Sequence, residues 1–499
     1  MESTREKRTT SGRFQKILEA LFNQWPLVCL LAILLGAMTA CQTIEATGER
    51  HLSFIGEQQE IEMGEASNED IVRTMGLYPD ESLQRYVQEL GMSMARTTER
   101  PELPWTFQVV DDDVVNAFAL PGGYIYLTRG IMAHFENEAQ LVGVLGHEIA
   151  HVTAKHAVIR VSKAMITQLG FGVATIAVPE LQSFSSILGQ GMQLLFLKFS
   201  RDDETEADEL GIRYMLNVNE NPKELMDVMA MLARISEGGE KGTIPEWAST
   251  HPYPENRMEF IGARLAELGP RDFAPVERES YLRRLEGMTY GSDPREGFVR
   301  ESMFYHPALA FQLEFPQGWK VVNRRSTVVG LSPGQNAAFQ LSVGQQRDPQ
   351  EALQAFLGQS GIQGRSSSAS QLHGLPAANG EFLAQTKQGA VQGQATFVLH
   401  NRRLFQLFGY TPQRFWNQYG SAIQDTAQSF RRSADENILN AEPLRLKIVR
   451  TDAAVPLREL HARHRVAIPL EELARLNQVA AEEAIEAGKS VKLVIGKTM

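Results

Sequence analysis

The stretch Gly146-His147-Glu148-Ile149-Ala150-His151 decides how this sequence is interpreted. Residues four apart share one face of an α-helix, so His147 and His151 can direct both imidazoles at one metal ion. Glu148 then lies beside that ion, where a general base would have to be. This is the spacing of the H-E-x-x-H motif of zinc hydrolases. The sequence therefore predicts a helix that carries two zinc ligands and a base.

The neighbouring residues predict where this helix begins and which side of it is buried. Asn137 has the side chain of an N-cap, and Gln140 stands three residues later in the capping-box position. Apolar residues then recur at helical spacing and predict a buried face adjoining the histidines: Leu141, Leu145, Ile149 and Val152.

A third ligand must come from another part of the chain. The metzincin pattern would need a histidine at position 157, which is Ala157. His156 is one residue out of that register, so it is predicted to lie at the surface or behind a ligand. Glu204 and Asp208 are four apart on a predicted helix, and Glu204 would complete a His-His-Glu set with one position open for water. Asp208 would then orient a ligand imidazole or pass a proton.

Three motifs in this order resemble the HtpX/CAAX-prenyl-protease family of zinc metallopeptidases, and within it the soluble periplasmic BepA-type branch. They are the segment N-A-F-A-L-P-G-G-Y at 116–124, the helix of His147, and S-R-D-D-E-T-E-A-D at 200–208. The resemblance covers roughly residues 55–265. The C-terminal helical-repeat array of BepA-type proteins is not evident here, so the partners of BepA are not carried over.

The resemblance implies a role for each matching residue. One zinc ion would be bound by His147, His151 and Glu204, with Glu148 as catalytic base and Asp208 as proton donor. The segment Asn116, Ala117, Phe118 and Ala119 would be an edge strand that lines the substrate cleft and accepts an extended peptide by β-augmentation. An internal sheet strand is the alternative.

The segment Thr250-His251-Pro252, followed by Arg257, is a further point of resemblance. It implies that His251 lies near the zinc and controls access to it. The imidazole could fill the open coordination position as a latch. A hydrogen bond from behind a ligand and a transition-state donor are the competing interpretations.

The first forty residues are typical of a targeting segment. Five basic residues precede an apolar run from Leu27 to Leu35, which is short for a membrane span. Met38-Thr39-Ala40-Cys41 resembles a bacterial lipobox and predicts that Cys41 becomes a lipidated N-terminus. An uncleaved anchor helix is the alternative, and either one would tether the protein outside the cytoplasm. Cys29 is the only other cysteine, so a mature chain from Cys41 could form no internal disulfide.

Composition and charge narrow the class of protein. The net charge of -11 makes nucleic-acid binding a poor hypothesis. The hydrophobic content of 43% is ordinary for a globular chain. The apolar, glycine-rich segment 164–199 is interrupted by polar residues, and it predicts buried helices with a mobile lid over the cleft, with contact to a membrane surface as the alternative.

The C-terminal half predicts two further units and no catalytic set. Residues 301–436 combine alternating strands with a closing amphipathic helix, faintly like PsbP/Mog-type domains. Residues 437–499 have the order strand, two helices, strand, and resemble a LysM glycan-binding module without its G-D-T opening. Peptidoglycan is therefore a possible partner.

The predicted fold class is α+β: a mainly helical zincin peptidase domain with a small β-sheet, then a sheet-and-helix domain and a LysM-like module. The predicted boundaries are a signal peptide at 1–40, the peptidase domain at 41–270, a linker at 271–300, the accessory domain at 301–436 and the module at 437–499. The predicted function is a zinc endopeptidase of the bacterial envelope, one Zn²⁺ per chain, that cleaves misfolded or misassembled periplasmic and outer-membrane proteins. The alternative is a zinc-containing lipoprotein scaffold or chaperone.

Overall fold

A computed structural model describes residues 41–170, 198–238, 246–252, 254–386 and 389–497. The predicted signal peptide and residues 171–197 of the predicted lid segment lie outside the described residues. None of the described helices is both long enough and apolar enough to span a membrane.

The described chain is a mixed α+β protein, as predicted. The α-helices are Glu57–Thr74, Glu81–Ala95, Arg129–His134, Glu138–Thr153, His156–Gly170, Arg201–Asn217, Lys223–Gly238, Glu246–Thr250, Pro254–Leu268, Arg278–Arg284, Pro349–Leu357, Trp416–Gln428, Glu436–Leu439, Leu457–Arg463 and Leu470–Leu476. The strands before residue 300 are Cys41–Thr43, Arg50–Leu52, Thr106–Val110, Ala117–Leu120, Tyr124–Thr128, Thr289–Tyr290 and Phe298–Arg300. The later strands are Met303–His306, Phe311–Glu314, Lys320–Arg324, Thr327–Leu331, Ala338–Gly344, Ile362–Gly364, Ser368–Leu372, Leu375–Thr386, Gly389–His400, Arg403–Pro412, Arg431–Arg432, Leu444–Arg450, Val455–Pro456, Ala484–Ile485 and Ser490–Ile495.

A three-stranded sheet lies beside the helices of the N-terminal half. Its central strand, Tyr124–Thr128, pairs in parallel with Thr106–Val110 and antiparallel with Ala117–Leu120. The tight reversal between the antiparallel strands contains Gly122, whose φ of 78° and ψ of 7° suit the third position of a type II turn. Ala117–Leu120 is therefore an edge strand of this sheet within the described chain.

Two helices approach each other closely because glycines stand at their crossing. We call Glu138–Thr153 the histidine helix and Arg201–Asn217 the carboxylate helix. A methyl group on Gly146 would lie 3.2 Å from the carbonyl oxygen of Gly211, and one on Gly211 would lie 3.2 Å from the His147 nitrogen. Any larger side chain would separate the two backbones, so the glycines set the distance between the histidines and the carboxylates.

The region 301–436 contains an antiparallel sheet that includes the two long strands Gly389–His400 and Arg403–Pro412. Asn401 and Arg402 connect these two strands, and both adopt positive φ, as a two-residue hairpin turn requires. Helix Trp416–Gln428 packs on this sheet through the buried side chains of Ile423 and Ala427.

The C-terminal segment has the predicted order of strand, two helices and strand, but it is not separate from the N-terminal helices. Its buried residues Leu446, Leu473 and Leu493 belong to the same hydrophobic cluster as Leu145 and Ile149 of the histidine helix. The C-terminal module therefore shares a core with the helices that carry the site.

The predicted linker at 271–300 differs from the structure. It contains the helix Arg278–Arg284, whose Tyr281 and Leu282 are fully buried in the same core. Strand Thr289–Tyr290 pairs with Leu444–Arg450 of the C-terminal module. The segment was predicted to be a linker, whereas its few apolar side chains attach it to the core of the histidine helix.

Candidate metal centre

Both helices that carry the predicted site have a defined start. Asn137 accepts a hydrogen bond from the Gln140 backbone N–H at 2.8 Å, as predicted for an N-cap. The Gln140 side chain reaches one residue further back than a capping box and accepts from the Glu136 N–H. Ser200 and Asp203 form a reciprocal capping box at the start of the carboxylate helix. These caps fix the residue at which each helix begins, and packing of the buried face then sets the direction of the functional side chains.

Four buried side chains bring their ligand atoms together: His147, His151, Glu204 and His251. One donor atom from each residue lies within 4.8 Å of all the others. The Nε2 atoms of His147 and His151 are 3.0 Å apart, and the nearest Glu204 oxygens lie 3.5 and 3.6 Å from them. The histidine helix thus supplies two donors and the carboxylate helix a third.

These separations suit a zinc ion. Four ligands at the usual zinc distances form a tetrahedron with edges of about 3.3 Å. Two imidazole nitrogens and a carboxylate oxygen are also donors that zinc prefers in catalytic sites. The residues therefore fit the metal that H-E-x-x-H predicts.

His251 occupies the fourth donor position. Its Nδ1 lies 3.3 Å from the His147 Nε2 and 3.0 Å from a Glu204 oxygen. The indole of Trp247 stacks on the His251 ring with centroids 4.7 Å apart. In this conformation His251 stands where the His-His-Glu prediction leaves room for water.

Glu148 is fully buried beside the donor cluster. The Trp247 indole N–H donates to its Oε1 at 3.3 Å, and the His251 Nε2 is 3.6 Å from the same oxygen. Its other oxygen, Oε2, has no hydrogen-bonding partner in the described part of the chain. A buried carboxylate oxygen without a partner is costly unless a ligand or a water molecule satisfies it. Glu148 is therefore placed to accept a proton from a molecule held at the cluster.

Asp208 lies behind His147, on the side away from the donor cluster. Its Oδ1 is 3.0 Å from the His147 Nδ1, and both of its oxygens accept hydrogen bonds from the Arg257 guanidinium. Because both oxygens are engaged there, the geometry favours the first of the two predicted roles, orienting a ligand imidazole, over proton donation.

The surrounding charges keep both carboxylates ionised despite their burial. Burial alone would raise the pKa of Glu204, but His251 and Arg257 outweigh it and hold the pKa well below its usual range. Burial of Asp208 is likewise outweighed by Arg257, and its pKa is lowered. An ionised Glu204 is the form that a metal ligand requires.

The two histidines of the motif differ in their electrostatics. Burial and the neighbouring His147 hold the pKa of His151 well below its ordinary value, so this imidazole is neutral. For His147, burial and Arg257 are outweighed by hydrogen bonds to Asp208 and Glu204, which raise the pKa to about 9. Metal binding at His147 would therefore release a proton.

The edge strand adjoins the donor cluster at one end and Trp247 at the other. Ala119 and Leu120 line a narrow cleft together with His151 and Phe199. Towards the other end, the Trp247 backbone N–H donates to the Val115 carbonyl. The predicted substrate segment Asn116–Ala119 lies between these points, and the Oδ1 of buried Asn116 has no partner among the described residues.

Cys41, the predicted lipidation site, is the first described residue and begins the strand Cys41–Thr43.

The sequence did not predict a role for Trp247, and it left two positions open for His156, at the surface or behind a ligand. Trp247 lies in a segment without a periodic pattern, so nothing local marked its contact with Glu148. His156 is 2% exposed and its Nδ1 is 2.7 Å from the His151 Nδ1, which rules out the predicted surface position and leaves the one behind a ligand. The resemblance had marked Arg257, but its partners become visible only in three dimensions.

Comparisons with known proteins match the part of the chain that contains this site. The profile of peptidase family M48 matches residues 81–265. The beta-barrel assembly-enhancing protease of Yersinia pestis is 29% identical over 280 residues, which cover 51% of this chain and 56% of that protein. The protein of the same name from Escherichia coli (strain K12) is 27% identical over 264 residues, 48% of this chain and 53% of its own. The mitochondrial metalloendopeptidase OMA1 of Saccharomyces cerevisiae is 33% identical over 167 residues, 33% of this chain and 48% of its own.

The chain spans about half the length of these relatives. Among solved structures, cyanobacterial PsbP from Synechocystis sp. PCC 6803 aligns with 27% of this chain and 95% of its own at 13% identity and a TM-score of 0.22. The resemblance of residues 301–436 to PsbP-type domains therefore stays a prediction. Metallopeptidases of family M48 are zinc-dependent, in accord with the four-donor cluster. The part of the chain that matches peptidase family M48, residues 81–265, is thus the part that contains the four-donor cluster.

Proposed function

We propose that this protein is a zinc-dependent endopeptidase of the bacterial cell envelope. The observation that carries the proposal is the buried set of His147, His151 and Glu204 with the unpartnered oxygen of Glu148 beside it. A site that binds zinc only to stabilise the fold needs no such base. This argues against the alternative of a scaffold whose metal is purely structural.

The residues divide the reaction between them. His147, His151 and Glu204 would hold the zinc ion, which would supply a Lewis acid that lowers the pKa of a bound water to about 7 and polarises the scissile carbonyl. Glu148 takes the proton of the water and passes it to the leaving amine. Asp208 holds the ring of His147 in the orientation that presents Nε2 to the metal.

Substrate binding is assigned to the edge strand Ala117–Leu120. Its outer backbone edge, which pairs with no other described strand, can take an extended peptide by β-augmentation, with the narrow cleft at Ala119 and His151 as one end of the binding site. The relatives named beta-barrel assembly-enhancing protease suggest misassembled outer-membrane proteins as substrates. Unfolded segments would present the extended backbone that this mode of binding needs.

Access to the site is assigned to His251. With its Nδ1 in the fourth donor position, it excludes the water that Glu148 must activate. The loop of His251 must then move before a substrate can be cleaved. Trp247 would move with it, because the two rings stack and Trp247 also contacts Glu148.

The proposed location in the cell envelope is inferred from the targeting segment at residues 1–40. A lipid on Cys41 would tether the mature chain to the membrane on its periplasmic face, with the outer membrane as the favoured site. Peptidoglycan is a second possible partner, through residues 437–499. Neither partner would alter the chemistry assigned to the cluster.

The test is degradation of casein by the soluble form that starts at residue 42, with and without a zinc chelator. Glu148→Gln should abolish cleavage and leave about one zinc per chain, because Glu148 is not a ligand. Glu204→Ala should lose zinc affinity. Cleavage that persists after complete removal of zinc would refute the proposal, and loss of zinc in Glu148→Gln would refute the role of that residue.

A further inference from the structure

His156 lies at the start of helix His156–Gly170, just beyond the histidine helix, and its side chain is buried. Its Nδ1 is 2.7 Å from the Nδ1 of His151, and its Nε2 is 2.9 Å from a carboxylate oxygen of Glu206. Three side chains thus form a continuous hydrogen-bonded line that ends at a member of the donor cluster. His156 itself is not part of that cluster.

The direction of these hydrogen bonds follows from the chemistry of the groups. An ionised Glu206 can only accept, so the Nε2 of His156 carries a hydrogen and a neutral His156 accepts at Nδ1. The Nδ1 of His151 must then donate. This leaves the lone pair of the His151 Nε2 free, and that atom faces the Nε2 of His147 at 3.0 Å and a Glu204 oxygen at 3.6 Å.

A carboxylate from the carboxylate helix therefore holds each histidine of the motif, either directly or through another side chain. Asp208 contacts the Nδ1 of His147 directly, whereas Glu206 reaches His151 through His156. Phe199 stacks on the face of the His151 ring with centroids 4.1 Å apart. The His151 imidazole is thus constrained in both its tilt and its tautomer.

We propose that His156 and Glu206 form a positioning pair that selects the zinc-binding tautomer of His151 and holds its ring towards the metal. The pair contacts neither substrate nor metal and acts only through His151. The inference rests on the zinc site of the proposed function. Partners of this kind, behind a metal-bound histidine, typically contribute 10- to 100-fold in metal affinity or activity.

The experiment measures the zinc dissociation constant of the purified chain by competition with a chromogenic chelator. His156→Phe keeps an aromatic ring but breaks both hydrogen bonds, so its dissociation constant should rise about 10- to 100-fold. His156→Gln retains a group that can accept and donate, and it should recover part of this loss. Glu206→Gln keeps an accepting oxygen but loses the charge, and it should raise the constant by a smaller factor, roughly threefold or more.

Glu209→Gln is the matched control. It makes the same chemical change on the same helix, at a residue paired with Arg264 and not with a member of the site. Its zinc dissociation constant should equal that of the wild type. The melting temperature of each zinc-free variant is measured in parallel.

Wild-type zinc affinity in His156→Phe would overturn the positioning pair, as would a lower melting temperature of the zinc-free protein with no change in zinc affinity. If His156→Phe does not fold, Glu206→Gln decides, and zinc affinity equal to that of Glu209→Gln overturns the inference. A different result would refute the proposed function alone. A wild-type protein that binds zinc but cleaves no casein would remove the peptidase and leave the positioning pair standing.

Discussion

Lys492 offers a sharp test of whether the C-terminal module supports the active-site region. It lies on the last strand, Ser490–Ile495, and its side chain is fully buried. The Nζ donates hydrogen bonds to the carbonyls of Ala133 and Phe135 and forms an ion pair with Glu136 at 2.8 Å. These residues immediately precede Asn137, the N-cap of the histidine helix.

Lys492→Met removes the charge and keeps most of the buried volume. Breaking a buried ion pair on one side costs about 3 to 5 kcal/mol, because the remaining partner is left without compensation. Glu136 keeps a second ion pair with Arg278 at 2.6 Å, which places the expected loss near the lower end, about 3 kcal/mol. At about 2 °C per kcal/mol for a unit of this size, the melting temperature should fall by roughly 6 °C.

The assay is thermal unfolding of the zinc-loaded protein, followed by circular dichroism, beside a matched control. Lys489→Met makes the same change three residues earlier, where the side chain is 56% exposed and forms a surface ion pair with Glu486. Such pairs contribute about 0 to 1 kcal/mol, so this variant should melt close to the wild type. A Lys492→Met protein that melts within about 2 °C of Lys489→Met would refute the support assigned to the buried lysine.

Three further predictions concern access, anchoring and pH. His251→Ala should increase casein cleavage, because the imidazole in the fourth donor position blocks water; decreased cleavage with zinc retained would identify a catalytic donor instead. Cys41→Ser should leave an unlipidated, unprocessed precursor on a gel, whereas normal mature protein would indicate another cleavage site or an anchor helix. Burial, aided by Arg403, lowers the pKa of His306 to about 4, and its Nδ1 accepts from the Leu309 N–H. As the pH falls below 6.5, His306 is therefore protonated in the unfolded chain before it is protonated in the folded chain. The free energy of unfolding should drop by about 2 kcal/mol at pH 5. His306→Gln should remove this pH dependence. The difference in melting temperature between His306→Gln and the wild type should therefore shrink as the pH is lowered from 7 to 5. A difference that is the same at both pH values would contradict the lowered pKa.

The predictions that the structure matches depend on local patterns. The repeat of Leu141, Leu145 and Ile149 defines a buried helical face whatever the rest of the chain does, and the alternation of Phe311 and Leu313 defines a half-buried strand in the same way. The H-E-x-x-H spacing places two imidazoles together by helical geometry alone. These features need no knowledge of distant residues.

The features that escaped prediction depend on contacts between distant segments. Lys492 stands in an ordinary strand, where a lysine normally faces solvent, and only its packing under Glu136 explains its burial. Trp247 and Glu148 are 99 residues apart, and no periodic pattern relates them. A single sequence carries no signal for such pairs, because each partner looks ordinary in its own segment.

The arrangement of the C-terminal half follows from one pair of short strands. Thr289–Tyr290 precedes the region 301–436 and pairs with Leu444–Arg450, which follows it. The two ends of that region are therefore held side by side on the peptidase core, as expected for a domain inserted into a continuous unit. Gln478 of the C-terminal module donates to the His134 carbonyl and to the Gln140 side chain, at the first turn of the histidine helix. The C-terminal module is thus structurally part of the unit that carries the metal site, and residues 301–436 are inserted between its two parts.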